Sequence, residues 1–441
     1  MTGHAMSSRA TTWEPVAGSP AWRAFGLLLH PLHLGLAFPS VLYLLALSVF
    51  LFRPPDLDLY HADRIAFGAL VFFVGLRMLA LRERVPFRAG ISLPILGLVG
   101  LAVLRALREP FDAQTWSLIA SKFVVPFVLL HVAMVVFRGA SARRQFEVFV
   151  ILVLAYLVFT AVAFLADARA LIFPKFILDE SLGIHTERAR GPFLQAVANG
   201  MSLNILGILA IVLARKHRKV VLLLWLILPV AVLATLTRAV WISFVASSIA
   251  LGFRLGERCL RRACLGLGVV GLLVSLAVGL GNSSLANTLR DRTEERGPVQ
   301  VRMAVYDAGW AMFQERPLTG WTAGGMYAEL ARRMQGYHLR VFYVHNTYLS
   351  LLIEFGLPGL VLYGILFFNL FRLGRSALVE DESTPLSALR KAWPILLGVY
   401  LFNAFFVDMA YQFVIGLMFT VAGMLCGSGE NFNDHHRLHR E

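Results

Sequence analysis

Val344-His345-Asn346-Thr347-Tyr348-Leu349-Ser350-Leu351-Leu352-Ile353-Glu354-Phe355-Gly356-Leu357-Pro358-Gly359 marks the point where the long polar stretch of this chain runs back into apolar sequence. His345 is the last loop residue there, and from Asn346 to Phe371 the chain is apolar enough to cross a bilayer as a helix. A titratable ring is thereby set at a boundary between water and lipid. Imidazole changes charge near neutral pH, so a ring in this place suits proton chemistry on one substrate that arrives through water and another that arrives through lipid. A purely structural explanation stands beside that one: Asn346 is a good N-cap for the helix that follows, and the pair then needs no chemistry to account for it.

The rest of the chain repeats the alternation. Of its 441 residues, 58% are hydrophobic and 15% charged, and the mean hydropathy is +0.68, values that exclude an ordinary soluble globule. Apolar runs of spanning length fall near Leu34–Phe52, Ile65–Leu81, Ile91–Leu104, Ser117–Phe137, Phe146–Ala166, Leu194–Ala214, Val220–Leu236, Ala239–Phe253, Ala263–Leu280, Asn346–Phe371, Ala392–Phe406 and Met409–Cys426. The expected fold is all-α: a polytopic membrane protein of about 12 transmembrane helices, one membrane domain over residues 1–441 with one long outer loop. Met1–Pro20 is polar and lacks the apolar core of a removable signal peptide, so the first span is expected to persist.

Lys and Arg outnumber Asp and Glu by 41 to 27. The basic residues come in short clusters between apolar runs, which reads as topology signal and head-group contact instead of nucleic-acid binding. The clusters at Arg82–Arg88, Arg138–Arg144, Arg215–Lys219, Arg258–Arg262 and Arg372–Arg375 all fall on one side of the count, the expected cytoplasmic face, with both termini. The loops around Asp167–Phe193, Arg238, 282–344 and Asp408 then share the opposite, periplasmic face. Cys259, Cys264 and Cys426 show no metal-ligand spacing, and the first two flank Arg261-Arg262 on the side where disulfides are not expected. Within 282–344, the apolar spacing of Val301, Val305, Ala308, Met312 and Phe313 predicts an amphipathic helix on the membrane surface. Arg316–Trp321 should break it, and a second short helix is expected around Tyr327–Met334.

Several outer residues carry two readings each. Arg238, in Thr235-Leu236-Thr237-Arg238-Ala239-Val240-Trp241, is either a snorkelling residue at a helix end or a forked cation that clamps a diphosphate. Arg188 and Arg190, in Thr186-Glu187-Arg188-Ala189-Arg190-Gly191-Pro192-Phe193, would make a cationic pocket with it if the loops converge. Gln195, Asn199 and Asn204 suit sugar or phosphate contacts, or polar contacts between helices. Arg302 is a solvated charge or a site residue. Glu354 lies about 13 Å into the span if the helix is unbroken, where an acid needs a partner or a watered cavity. Gly356 and Gly359 serve close packing or a break at Pro358. Asp56 and Asp58 form an isolated acidic pair, a weak candidate for a divalent cation. No Walker loop, dinucleotide fingerprint, His-Glu-x-x-His or Gly-x-Ser-x-Gly sequence occurs, so hydrolysis of nucleotides, hydride transfer and standard protease chemistry have no support.

His345-Asn346 with the gap to Gly356-x-x-Gly359, the Thr237–Trp241 turn, Arg302 leading through Trp310 to Pro317-Leu318-Thr319-Gly320, and Arg190-Gly191-Pro192-Phe193 together resemble the O-antigen ligase and polymerase superfamily of bacterial envelope enzymes. The resemblance spans Arg188 to Gly359. It implies inverting, metal-independent and cofactor-free transfer of a glycan from undecaprenyl diphosphate to an acceptor hydroxyl, at the periplasmic face of the inner membrane. His345 would be the base or the residue orienting the acceptor, and Arg238 a diphosphate contact supported by Arg188 or Arg190. Asn346, Glu354, Gly356, Gly359 and Arg302 would support the site, with no metal ligands. Thr237 and Val240 depart from the small residues usual beside the arginine, so the acceptor stays open: lipid A-core for a ligase, or a second lipid-linked glycan for a polymerase. A transporter is the alternative outside enzymes. Against it, the chain shows no two related halves with paired broken helices.

Overall fold

The computed structural model describes residues 37–52, 61–84, 86–183, 185–254, 297–334, 344–375 and 384–427, all helix, turn and loop, with no strand among them. Its helices are α1 (Pro39–Leu51), α2 (Ala62–Ala80), α3 (Ala89–Ala106), α4 (Ala113–Ile119 continued by Val125–Val136 through a π-helical turn at Ala120–Val124), α5 (Ala140–Leu165), α6 (Ala196–Leu213), α7 (Arg218–Leu233), α8 (Arg238–Arg254), α9 (Gly297–Glu315), α10 (Ala323–Arg333), α11 (Thr347–Leu373), α12 (Pro385–Asn403) and α13 (Gln412–Gly427). Among the described residues, five segments are long and apolar enough to cross a membrane: α3, α4 from Thr115, α5, α6 and α11; α1 and α13 are shorter apolar helices. The expected run at Ala263–Leu280, Asp56 and Asp58, Cys259 and Cys264, and positions 282–296 and 335–343 of the long loop lie outside the described residues.

An apolar sequence without a polar face is a core helix, and α6 is that helix: 89% of it is buried. α5, α7, α8 and α12 surround it. On the other side of the bundle α13 lies along the second part of α4, so closely that a Cβ on Gly423 would come within 2.5 Å of the Leu130 carbonyl oxygen. Small residues are what let two membrane helices approach like this. Tyr43 of α1 ties the same layer together, its hydroxyl donating to Leu129 O at 3.1 Å and lying 2.7 Å from Thr420 Oγ1. Peripheral helices show the opposite pattern. On α2, Ile65, Phe72 and Leu79 are exposed at seven-residue spacing, a stripe of two turns each that suits lipid.

Within the long polar stretch, residues 297–334 form two helices close to where the sequence places them. Its first helix, α9, contains the predicted Val301–Phe313 pattern, and α10 replaces the expected second helix with bounds slightly earlier. The chain between them turns at Gly320, and Thr322 caps α10 by accepting from Gly325 N. Val305, Met312, Met326, Leu330 and Met334 form a separate apolar cluster with Val344, Leu349 and Ile353. α9 and α10 are thus seated on the first part of α11, the segment that follows His345.

Candidate active site

α11 is two helices joined at a break. Gly356 has φ 64° and ψ −162°, a conformation essentially reserved for glycine, so Thr347–Phe355 and Leu357–Leu373 run on either side of it. The break falls at Gly356 and not at Pro358, which occupies the first turn of the second piece, where proline is well tolerated. The loop Arg316–Trp321 fills the gap: Leu357 N donates to Pro317 O at 2.7 Å, and Trp321 N donates to Ile353 O at 2.7 Å. A Cβ on Gly356 would sit 2.5 Å from Pro317 O, one on Gly320 2.6 Å from the carbonyl oxygens of Ile353 and Glu354, and one on Gly359 2.3 Å from Phe355 Cβ. The glycines and the Pro317–Gly320 stretch therefore form one interlocked joint.

The joint lies just past Glu354. The helix ends two residues later, and Glu354 meets Lys122, in the π turn of α4, at 3.6 Å. It also borders a cavity with Arg105 and Trp321, residues at the same end of the bundle as the outer helices. Arg105 reaches across that end, donating to Trp321 O at 2.7 Å. The acid has the partner that a carboxylate in an apolar setting requires.

Asn346 does cap α11: its side chain accepts from Tyr348 N at 3.0 Å and Leu349 N at 3.1 Å. That leaves His345 free of capping duty and oriented by its surroundings. It has φ 46°, an uncommon conformation for any residue other than glycine. Tyr306 of α9 directs its hydroxyl to His345 O and Phe405 O, both at 3.4 Å, and Thr347 binds the turn after α12, its N–H to Ala404 O at 2.8 Å and its hydroxyl to Val407 O at 2.8 Å. Burial pushes the His345 imidazole down to about 4; the Arg302 charge acts in the same direction, Asp408 opposes it, and His185 adds to the lowering. The ring is neutral at pH 7.

His185 comes from the loop that carries the candidate arginines. Arg188 N donates to His185 O at 3.1 Å, and Ala189 N donates to Ala234 O at 3.0 Å, so this loop is joined to the turn that begins α8 at Arg238. Two of the arginines differ sharply. Arg190 is 2% exposed, with Nε donating to Ile177 O at 3.1 Å and its two terminal nitrogens donating to Leu182 O and Asp179 O. Its fork is spent on the loop's own carbonyls. Arg238 is exposed and has no hydrogen bond or ion pair among the described residues, and Arg188 is half-buried beside Glu187, 3.3 Å away. Asn199 fixes the loop by donating to Ala189 O at 2.8 Å, and Asn204 accepts from Ser247 Oγ of α8 at 3.0 Å, so both amides work inside the fold.

Sequence reasoning passed over Lys122, Asp408, Tyr306 and His185. Lys122 had a signal, a single cation inside the apolar run Ser117–Phe137. The others take their meaning only from contacts across the fold.

Residues 221–364 match the family model described as O-Antigen ligase. The match covers about a third of the chain, from α7 to α11, and includes Arg238, Arg302, His345 and the Gly356 joint; it supports the O-antigen ligase superfamily. No protein of curated function matches the chain.

Proposed function

We propose that the protein transfers a glycan from undecaprenyl diphosphate to an acceptor hydroxyl at the periplasmic face of a bacterial inner membrane. The carrying observation is convergence: His345 feels the charges of Arg302 and His185, and the His185–Arg188 loop is hydrogen-bonded to the turn that leads into Arg238. In this reading His345 accepts the acceptor's hydroxyl proton while the acceptor oxygen bonds to the anomeric carbon. The bond from that carbon to the phosphate oxygen breaks, inverting the centre, and undecaprenyl diphosphate departs with its electrons. Arg238, aided by Arg188, stabilises the charge that grows on the leaving diphosphate. The Arg302 charge helps keep the imidazole unprotonated, and Arg190 holds the loop that presents Arg188. The sugar is already activated by its phosphate, so neither nucleotide nor metal is needed.

Lipid A-core is the proposed acceptor, making the enzyme ligase-like; a polymerase of O-antigen or exopolysaccharide repeat units would use the same donor and the same residues. Glycans in a deletion strain separate the two. A missing ligase leaves long chains on undecaprenyl diphosphate and a bare lipid A-core, which is the expected result. Single repeat units on the carrier or core would assign the polymerase reaction instead.

A further inference from the structure

Lys122 occupies the π-helical turn Ala120–Val124, a local widening that recurs at functional positions in otherwise regular helices. Its ammonium donates to Asp408 Oδ2 at 2.9 Å and lies 3.6 Å from Glu354 Oε1. Two cavities of about 50 Å³ each meet at the Lys122–Glu354 pair, one toward Asp408 and Thr347 and the other toward Arg105 and Trp321. Ligand pockets run to roughly 300 Å³ or more, while a water needs about 10–15 Å³ by the same kind of measure. Each cavity thus has room for a few waters and none for a sugar, so the charges act on the protein's own elements.

Those elements are the two ends of one short helix. Asp408 sits in the turn that grips Thr347, with Met409 N donating to the Thr347 hydroxyl at 3.0 Å and that hydroxyl donating to Val407 O. Glu354 stands at the far end of Thr347–Phe355, next to the Gly356 break. We infer that Lys122 is a positioning residue for His345: one ammonium, paired with Asp408 and Glu354, clamps both ends of the half-helix that begins two residues after it. Groups acting on His345 include Arg302 from α9, Asp408 from the turn after α12 and His185 from the loop before α6, while Tyr306 of α9 binds its carbonyl oxygen. Only Asp408 among them is tied to Lys122. The inference rests on His345 as the base, and it fails separately from that reading.

The test uses the full-length protein in phospholipid nanodiscs and diethyl pyrocarbonate, which acylates neutral imidazole; mass spectrometry of the His345 peptide across pH gives the midpoint of its protonation. The wild-type midpoint is expected near pH 4. Lys122→Met frees the Asp408 charge and should raise it by about one pH unit or more, whereas Lys122→Arg should leave it in place. A misfolded variant would also titrate high, at about 6.5, so Lys122→Met with Asp408→Asn decides: its midpoint should return to the wild-type value or below. An unchanged midpoint in Lys122→Met, or a double variant that stays high, overturns the inference. Loss of transfer in His345→Ala alongside an unchanged Lys122→Met midpoint retains the base and ends the clamp; full transfer in His345→Ala ends both.

Discussion

In the proposed reaction a base and a cation must be kept apart in their protonation, and burial together with the Arg302 charge does this for His345. Burial disfavours imidazolium, so the folded protein holds His345 near 4, below its ordinary value of about 6.5. This group's contribution to stability is complete above about 6.5 and is lost as pH falls from there to about 4. For activity, the acid limb of kcat/KM should lie near pH 4 and the profile should be flat from about 5 to 7, read from initial transfer rates; a limb near 6.5 would place the base elsewhere. Arginine exchanges separate the two kinds of cation seen here. Arg238→Lys keeps charge and loses the fork, so transfer should fall substantially while the amount of folded protein in the membrane is unchanged. Arg190→Ala should instead lower abundance and thermal stability by on the order of 3 kcal/mol or more, because carbonyls of three residues lose their donor.

Among the elements, α11 carries the proposed base just before its start, and its break, which the sequence offered as one of two readings and placed at Pro358, falls at Gly356. Gly356→Ala forces a Cβ toward Pro317 O at 2.5 Å and a side chain into φ 64°, so both the joint and the seating of the Arg316–Trp321 loop should be lost. Detergent-solubilised protein should melt several degrees lower and transfer poorly, and an unaltered melting temperature would remove the joint from the account. The helices, the outer α9–α10 pair and the cap at Asn346 were legible because periodicity, a break at Pro317 and a capping side chain are local signals. Gly356 was not: nothing beside it in sequence requires positive φ, and the requirement comes from Pro317 docking across the gap. Arg190 looked equal to Arg188 for the same reason, since the carbonyls that occupy its fork belong to a loop whose path sequence does not reveal. Lys122 is the extreme case, a lone cation whose partner Asp408 lies 286 residues away.

For the whole molecule, the basic clusters and the outer helices imply opposite faces, and the site should therefore be reached from the periplasm. Single cysteines replacing Arg188 or Arg238 should react with a membrane-impermeant thiol reagent in intact spheroplasts, and one replacing Lys216 should not; labelling of Lys216 alone would invert the arrangement. Transfer should also survive EDTA, and its restoration by magnesium or manganese would bring Asp56 and Asp58 forward. The most direct measurement takes the protein reconstituted in liposomes with its polyprenyl-diphosphate-linked glycan and lipid A-core, in EDTA, and compares transfer by the wild type with that by His345→Ala. A decrease of about a hundredfold or more, in a variant that reaches the membrane in normal amount, is the predicted result; undiminished transfer by His345→Ala would contradict the account.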